Sequence, residues 1–285
     1  MKAPPFDYVR VSSRQQVFEL LRQHGDDARL LAGGQTLIAT LNMRLSEPRL
    51  LIDIGGLDDL RGINCDGARL RIGALATHAE IECDPLVARH APLLRQAAPH
   101  IAHRAIRNRG TLGGSLAYAD PAAEWPACML ALDATLVLAG PKAERRVAAI
   151  DFFTGLYTTE LAADELIVAC EMPVIQPDGR HAFDELARRH GDYAIVGVAA
   201  SATRRDGRLH DTRLAFFGLE DKPVRATRTE QLLQGQAIDE STLTLATQTL
   251  QAELQPAADL TSGVDTKRHL AGVLAQRVLR RLAAD

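Results

Sequence analysis

Aromatic residues are scarce in this 285-residue chain, at 4%, and tryptophan occurs once, as Trp125. A base-stacking platform for nucleic acid needs a row of exposed rings, so that class of function is set aside. An excess of one charge sign is missing too. The 33 Lys+Arg and 36 Asp+Glu residues leave a formal net charge of −3, which gives no footprint for nucleic acid or an anionic membrane. Nothing approaches the roughly 18 uninterrupted apolar residues that read as a membrane helix. The opening Met1-Lys2-Ala3-Pro4-Pro5-Phe6-Asp7-Tyr8 has no signal-peptide core. No nucleic acid and no membrane insertion are therefore expected. The four cysteines, Cys65, Cys83, Cys128 and Cys170, lie at least 18 positions apart. Without a C-x-x-C they support neither a zinc knuckle nor an iron–sulfur cluster, and they read as reduced, mostly buried thiols of a cytoplasmic protein.

An apolar share of 46% and a charged share of 24% describe an ordinary globular chain, and its length suggests about two domains. Ser12-Ser13 is placed to cap a helix over Arg14 to His24, closed by Gly25. A strand over Arg29 to Ala32 runs into Gly33-Gly34, a helix is expected from Thr36 to Met43, and Leu50 to Ile54 reads as another strand. Hairpins are expected for Arg61–Asn64 with Arg69–Gly73 and for Ala134–Ala139 with Arg145–Ala149. Helices are expected near Thr77 to Glu82, Pro92 to Ile101 and Ala122 to Leu132. The segment Arg104 to Pro121 is too glycine-rich for a helix and reads as a packed-down loop. After the strand Glu165 to Glu171, the turn Pro177-Asp178-Gly179 marks a boundary. Two strands, Tyr193 to Thr203 and Thr212 to Leu219, then lead to helices over Thr227–Leu233, Glu240–Glu253 and Thr266–Leu282, giving a small α/β module with helices on one side of a sheet.

Two stretches stand out. Leu31-Ala32-Gly33-Gly34-Gln35-Thr36-Leu37 and Thr111-Leu112-Gly113-Gly114-Ser115-Leu116 each hold adjacent glycines followed by a polar and then an apolar residue. Such glycines admit positive φ and leave no Cβ in a ligand's way, and their successive N–H groups suit a phosphate. At about 1.5–3 kcal/mol per hydrogen bond to a charged group, four or five donors would hold a diphosphate without lysine or metal. We read the pair as the cradle of a flavin dinucleotide. Neither matches the Rossmann or P-loop signatures. Arg107 and Arg109 stand near the second loop, where exposure is the default expectation. His100 and His103, lacking carboxylate or cysteine partners, read as structural or surface residues. Trp125 reads as an apolar anchor, His78 beside Glu80 and Glu82 as a solvated helix end, and Arg188-Arg189-His190 as a turn facing solvent or a partner.

The runs LAGGQTL, LIDIGGLDDLRGI, IRNRGTLGGSLAYADPAAEWP and GDYAIVGVAA together resemble the FAD-binding (medium) subunits of molybdenum hydroxylases such as carbon monoxide, nicotinate, aldehyde and xanthine dehydrogenases. The resemblance extends from near residue 5 to the last helix. It implies an α+β chain: a two-subdomain FAD-binding domain of the PCMH (vanillyl-alcohol-oxidase-like) type over residues 1–176, with subdomains of about 1–57 and 58–176. A carboxy-terminal α/β domain of the CO dehydrogenase flavoprotein type would cover 177–285. The cofactor-binding residues implied are Leu31, Ala32, Gly33, Gly34, Gln35, Thr36, Leu37 and Ile38 of the first loop, and Thr111, Gly113, Gly114 and Ser115 of the second. The resemblance adds Ile101 and Ala102 lining the cofactor, Asp120 and Glu124 at its hydroxyls, Leu166 and Ile167 as an apolar flavin wall, and Tyr193 covering one ring face.

Two departures stand against the family pattern. Some relatives carry a cofactor-contacting lysine where this chain has Asp184-Glu185. The family's "SAEYR" before the last helix is replaced by Ser262-Gly263-Val264-Asp265-Thr266-Lys267. No poised catalytic acid or base is evident on the chain itself. The implied function is therefore an oxidoreductase subunit that carries FAD and takes electrons from an iron–sulfur small subunit. A molybdopterin large subunit would oxidise the substrate, so that molybdopterin and [2Fe-2S] clusters lie on partner chains only. NAD, oxygen or a quinone would be the final acceptor. The rivals are a free-standing FAD-dependent oxidoreductase and a cofactor-free assembly or binding protein.

Overall fold

The computed structural model describes residues 2–284. Its first part is a three-stranded parallel sheet of β1 (Asp7–Arg10), β2 (Ala28–Leu31) and β3 (Leu50–Asp53), in the order β1-β3-β2. Helix α1 (Arg14–His24) starts where Ser13 accepts a hydrogen bond from the Gln16 N–H and stops at Gly25, whose φ of 51° suits glycine. It buries Val17, Phe18 and Leu21 against the sheet. Helix α2 (Leu37–Asn42) follows the first glycine pair directly.

A second, antiparallel sheet combines β4 (Ile63–Cys65) and β5 (Arg69–Gly73) with three later strands. Between them the chain passes through α3 (His78–Cys83), α4 (Pro85–His90), α5 (Pro92–Ala97), α6 (Arg104–Arg107), α7 (Leu112–Tyr118) and α8 (Glu124–Ala131). It then forms β6 (Thr135–Ala139), β7 (Glu144–Ala148), the short α9 (Ala149–Phe152), a small hairpin of β8 (Phe153–Gly155) and β9 (Thr158–Thr159), and β10 (Leu166–Pro173). The order β4-β5-β10-β6-β7 sets β10 at the centre, and Leu166 to Cys170 are all buried.

The stretch 104–121 corrects the sequence expectation, because α6 and α7 are helices. Glycine costs a helix interior roughly 1 kcal/mol, yet here the penalty is outweighed. Thr111 caps α7 by accepting from the Gly114 N–H at 3.2 Å, and Leu112 and Leu116 are fully buried. The short α4, which begins at Pro85 with Asp84 as its cap, also went unforeseen.

The last sheet is antiparallel: β11 (Gly179–Ala187), β12 (Ala194–Arg205), β13 (Arg208–Phe217) and β14 (Val224–Arg225), with β15 (Gln236–Ala237) beside β13. Strand β11 was not foreseen, since its charged and polar residues mask the pattern. Helices α10 (Thr227–Leu233), α11 (Glu240–Glu253) and α12 (Val264–Ala283) cover one face. The opposite face joins the core of the first part: Phe183, Ala199, Ala215 and Phe217 pack in one cluster with Leu94, Trp125 and Phe152. Buried Ser201 seals that seam by donating its hydroxyl to the Ala131 carbonyl at 2.6 Å.

Candidate functional site

The glycine pairs of the two bends lie 79 or more positions apart in sequence, and the bends touch in space. A Cβ added at Gly33 would fall 2.1 Å from the Arg109 carbonyl oxygen and 2.9 Å from the Gly110 Cα, and one at Gly114 would lie 3.8 Å from the Ala32 Cβ. Gly33 is therefore bare because another stretch of backbone occupies the space. Gly34 needs its freedom for a different reason, a φ of 73°.

The bends differ in what their amides do. In the second, the Leu112, Gly113 and Ser115 N–H groups donate to the carbonyls of Ala76, Ala74 and Thr111, and that of Gly114 donates to Thr111 Oγ1. In the first, no acceptor among the described residues takes the N–H groups of residues 33–37. Exposed turn amides of this kind form a concave donor surface for an anion. The first bend is the donor cradle, and the second is the close-packed floor beside it.

A cavity of about 770 Å³ runs along both bends, within the range of about 300–1,000 Å³ that small-molecule sites occupy. Ala32 to Leu37, Ile101, Ala102, Thr111, Gly113, Gly114, Ser115, Asp120, Glu124, Leu166, Ile167 and Tyr193 all line it. Leu31 and Ile38 do not. They line a second cleft beside the first bend with Arg10, Arg61 and Arg109.

Several lining residues carried no sequence signal. Tyr118 and Tyr157 meet edge to face at 5.1 Å near Tyr193, which is 65% exposed. Ala102, Ala119 and Tyr157 hold left-handed backbone at φ 43°, 53° and 52° on or beside this cavity; such strain persists where surrounding packing over-determines it and collects at functional sites. His78 is corrected: it is buried, not a solvated helix end. Its Nδ1 accepts from Trp125 Nε1 at 2.9 Å, and desolvation, aided by Arg107, pulls its pKa down to about 4. The neutral ring lines the cavity with its Nε2 against Gly110. Arg107, expected at the surface, is buried too, bound to Glu82 and to the carbonyls of Ile101 and Ala102.

Glu124 is the most perturbed group of the wall. Apart from its own N–H, no donor among the described residues reaches its carboxylate. Burial, then the charge of Glu185, then that of Asp120 push its pKa up to about 8. Asp120 is itself raised by burial.

Residues 4–175 match the family model of the FAD binding domain in molybdopterin dehydrogenase, and residues 181–282 match that of the CO dehydrogenase flavoprotein C-terminal domain. The nicotine 6-hydroxylase medium subunit of Paenarthrobacter nicotinovorans is 36% identical over 98% of this chain and 98% of its own length. The carbon monoxide dehydrogenase medium chain of Hydrogenophaga pseudoflava is 34% identical over 98% and 97%. A solved carbon monoxide dehydrogenase from that organism superposes with a TM-score of 0.97 at 35% identity, covering 99% of this chain and 98% of that one. Quinoline 2-oxidoreductase from Pseudomonas putida 86 does so at 0.94 and 40%, over 99% and 98%. The chain therefore belongs to the FAD-binding subunits of the molybdenum hydroxylase family, whose members are parts of oxidoreductase complexes.

The residues present fit that cofactor. The first bend leaves its amides free for a diphosphate, the glycines clear the approach, and an acidic residue with no donor but its own N–H stands in the wall to meet hydroxyl groups.

Proposed function

We propose that this chain holds FAD along the 770 Å³ cavity and relays electrons from an iron–sulfur subunit to an external acceptor, within an assembly whose molybdopterin subunit oxidises the substrate. The observation that carries the proposal is the packing of Gly33 against the Arg109 carbonyl, which brings two distant bends to one cavity. When bound, FAD supplies a carrier able to take electrons singly and discharge them in pairs.

The protein's own residues bind, orient and shield. The free amides of residues 33–37, with the Thr36 and Ser115 hydroxyls, hold the diphosphate; Thr111 and Gly113 to Gly114 form the floor that excludes water from it. Leu166 and Ile167 supply an apolar wall, and Ile101 and Ala102 another. Glu124 and Asp120 face cofactor hydroxyls, and Tyr193 at the mouth covers one ring face while the rest stays open to NAD, oxygen or a quinone. Leu31 and Ile38 act from behind, holding the first bend in shape through contacts with the space at Gly34. The assembly belongs in the cytoplasm, where thiols such as exposed Cys83 stay reduced.

Purification through a tag on this chain, followed by an absorbance spectrum and metal analysis, tests the reading. The expected result is yellow protein that brings down two other subunits with iron and molybdenum, and that stays inert toward substrate alone. Substrate-driven bleaching of the single chain would establish a free-standing oxidoreductase, and colourless protein an assembly factor.

A further inference from the structure

The fourth residue of α12, Lys267, is buried. A lysine is almost never fully buried unless its ammonium group is paired, and this one has two acceptors. Its Nζ lies 2.7 Å from Asp259 Oδ2 and donates to the Gly218 carbonyl at 2.8 Å. Asp259 is itself held in place. Its Oδ1 accepts from the N–H and hydroxyl of Thr261 at 2.7 Å and from the Ser262 N–H at 2.9 Å, which leaves Oδ2 for the lysine. Lys267 closes the stretch Ser262 to Lys267, the corner at which this chain departs from the family pattern.

Gly218 carries the contact across the seam. It follows β13 at a φ of 75°, and a Cβ there would fall 2.8 Å from the Ile195 carbonyl oxygen and 3.0 Å from that of Ala194. Its N–H donates to the Pro121 carbonyl at 2.8 Å. Pro121 lies inside a closed turn: Asp120 Oδ1 accepts from the Ala122 N–H at 2.9 Å, and the Asp120 carbonyl accepts from the Ala123 N–H at 3.0 Å. Asp120 and Glu124 flank that turn, and both line the cavity. A line of hydrogen bonds from Asp259 through Lys267 and Gly218 to Pro121 thus joins α12 to the cavity wall.

We propose that Lys267 is a positioning residue for the cavity: by holding Gly218 it fixes the turn that presents Asp120 and Glu124 to the ligand. Its charge is balanced by Asp259, so what the cavity uses is a donor fixed at the Gly218 carbonyl. The segment leading to Asp259 has ties of its own, since Ala257 N–H donates to the Leu219 carbonyl at 2.8 Å and Gln255 N–H to Glu220 Oε1 at 3.0 Å. Loss of the ammonium group therefore frees Gly218 before it frees that segment. The inference rests on the function proposed above only for the identity of the ligand, FAD.

Lys267→Met tests it, because the apolar stem is kept and Asp259, with 44% of its side chain exposed, can be hydrated in the ammonium's place. Lys267→Arg keeps a donor. Leu282→Ala, a core truncation near the far end of α12, is the control for lost stability alone. Residue-resolved amide exchange of the full-length chain without FAD is measured first. In Lys267→Met the Gly218 and Ala123 amides should exchange about tenfold faster than in wild type, with α1 unchanged. FAD titration of the same proteins should then show Kd raised about tenfold in Lys267→Met, since a loosened wall must be ordered on binding. Lys267→Arg should stay near wild type in both measurements. Leu282→Ala should lower the melting temperature and move neither. Unchanged exchange at Gly218 and Ala123 in Lys267→Met, unchanged FAD affinity once those amides are freed, or equal effects from Leu282→Ala would overturn the positioning role. Wild-type protein that binds no FAD would defeat the function proposed above, while the exchange rates still judge the link from Lys267 to the wall.

Discussion

Gly33 and Glu124 show how little room the site leaves at single positions. A methyl group at Gly33 would press on backbone atoms that cannot swing aside, and overpacking of that kind costs about 1–3 kcal/mol. Gly33→Ala is therefore expected to lower the melting temperature and to cut bound FAD per chain at least tenfold, read from absorbance after gel filtration. Retention of normal flavin would argue against the first bend as cradle. Gly114→Val is a poorer probe, because its Cβ would strike the Thr111 hydroxyl at 2.8 Å and undo the α7 cap before any cofactor arrived. Glu124 supplies a pH signature. Its pKa rises from an ordinary 4.5 to about 8 on folding, so the folded state binds the extra proton between those values. Its stabilising contribution is complete below about 4.5 and is lost as pH rises through about 8. Urea titrations at pH 5 and pH 8 should show wild type losing stability relative to Glu124→Gln over that interval; parallel behaviour would refute the shift. His78 works in the opposite sense, its neutral form stabilising above pH 6.5 and failing as pH falls through about 4.

Among the elements, α1, α10 and α11 were legible to the residue because their signals are local: a capping Ser13 and closing Gly25 for the first, and apolar spacing for the others. The failures are as instructive. Helix α7 holds two adjacent glycines, which local propensity reads as a loop, and only its buried Leu112 and Leu116 and the contact of Gly113 with Ala74 hold it helical. Strand β11 carries Arg180, His181, Asp184 and Glu185. It became a strand because β12 supplied a nine-residue antiparallel register from Gly179 to Ala187. The bond from Trp125 on α8 to His78 on α3 is likewise invisible to any local pattern. Trp125→Phe should leave a buried imidazole nitrogen unpartnered and cost about 1–3 kcal/mol. Chemical denaturation checks this, with a loss under half a kcal/mol counting against the bond.

At the scale of the whole molecule, each side of the proposed division after residue 176 has a buried cluster of its own, and a third cluster spans the division. Phe183, Ala199, Ala215 and Phe217 fill the same cluster as Trp125 and Phe152. Residues 1–176 made alone should therefore expose that face, melt well below the intact protein and aggregate, as light scattering during a thermal ramp would show. An unchanged melting temperature would mean that the seam contributes nothing.

The glycine pairs, the capped helices, the absence of cluster-binding cysteines and the family likeness were all written in the chain, because turn chemistry and apolar periodicity act over a few residues. Contact between the bends and the burial of His78, Arg107 and Glu124 were not. Each depends on segments dozens of positions apart being pressed together in a core shared by both parts, and desolvation and mutual repulsion arise only once that packing has expelled water.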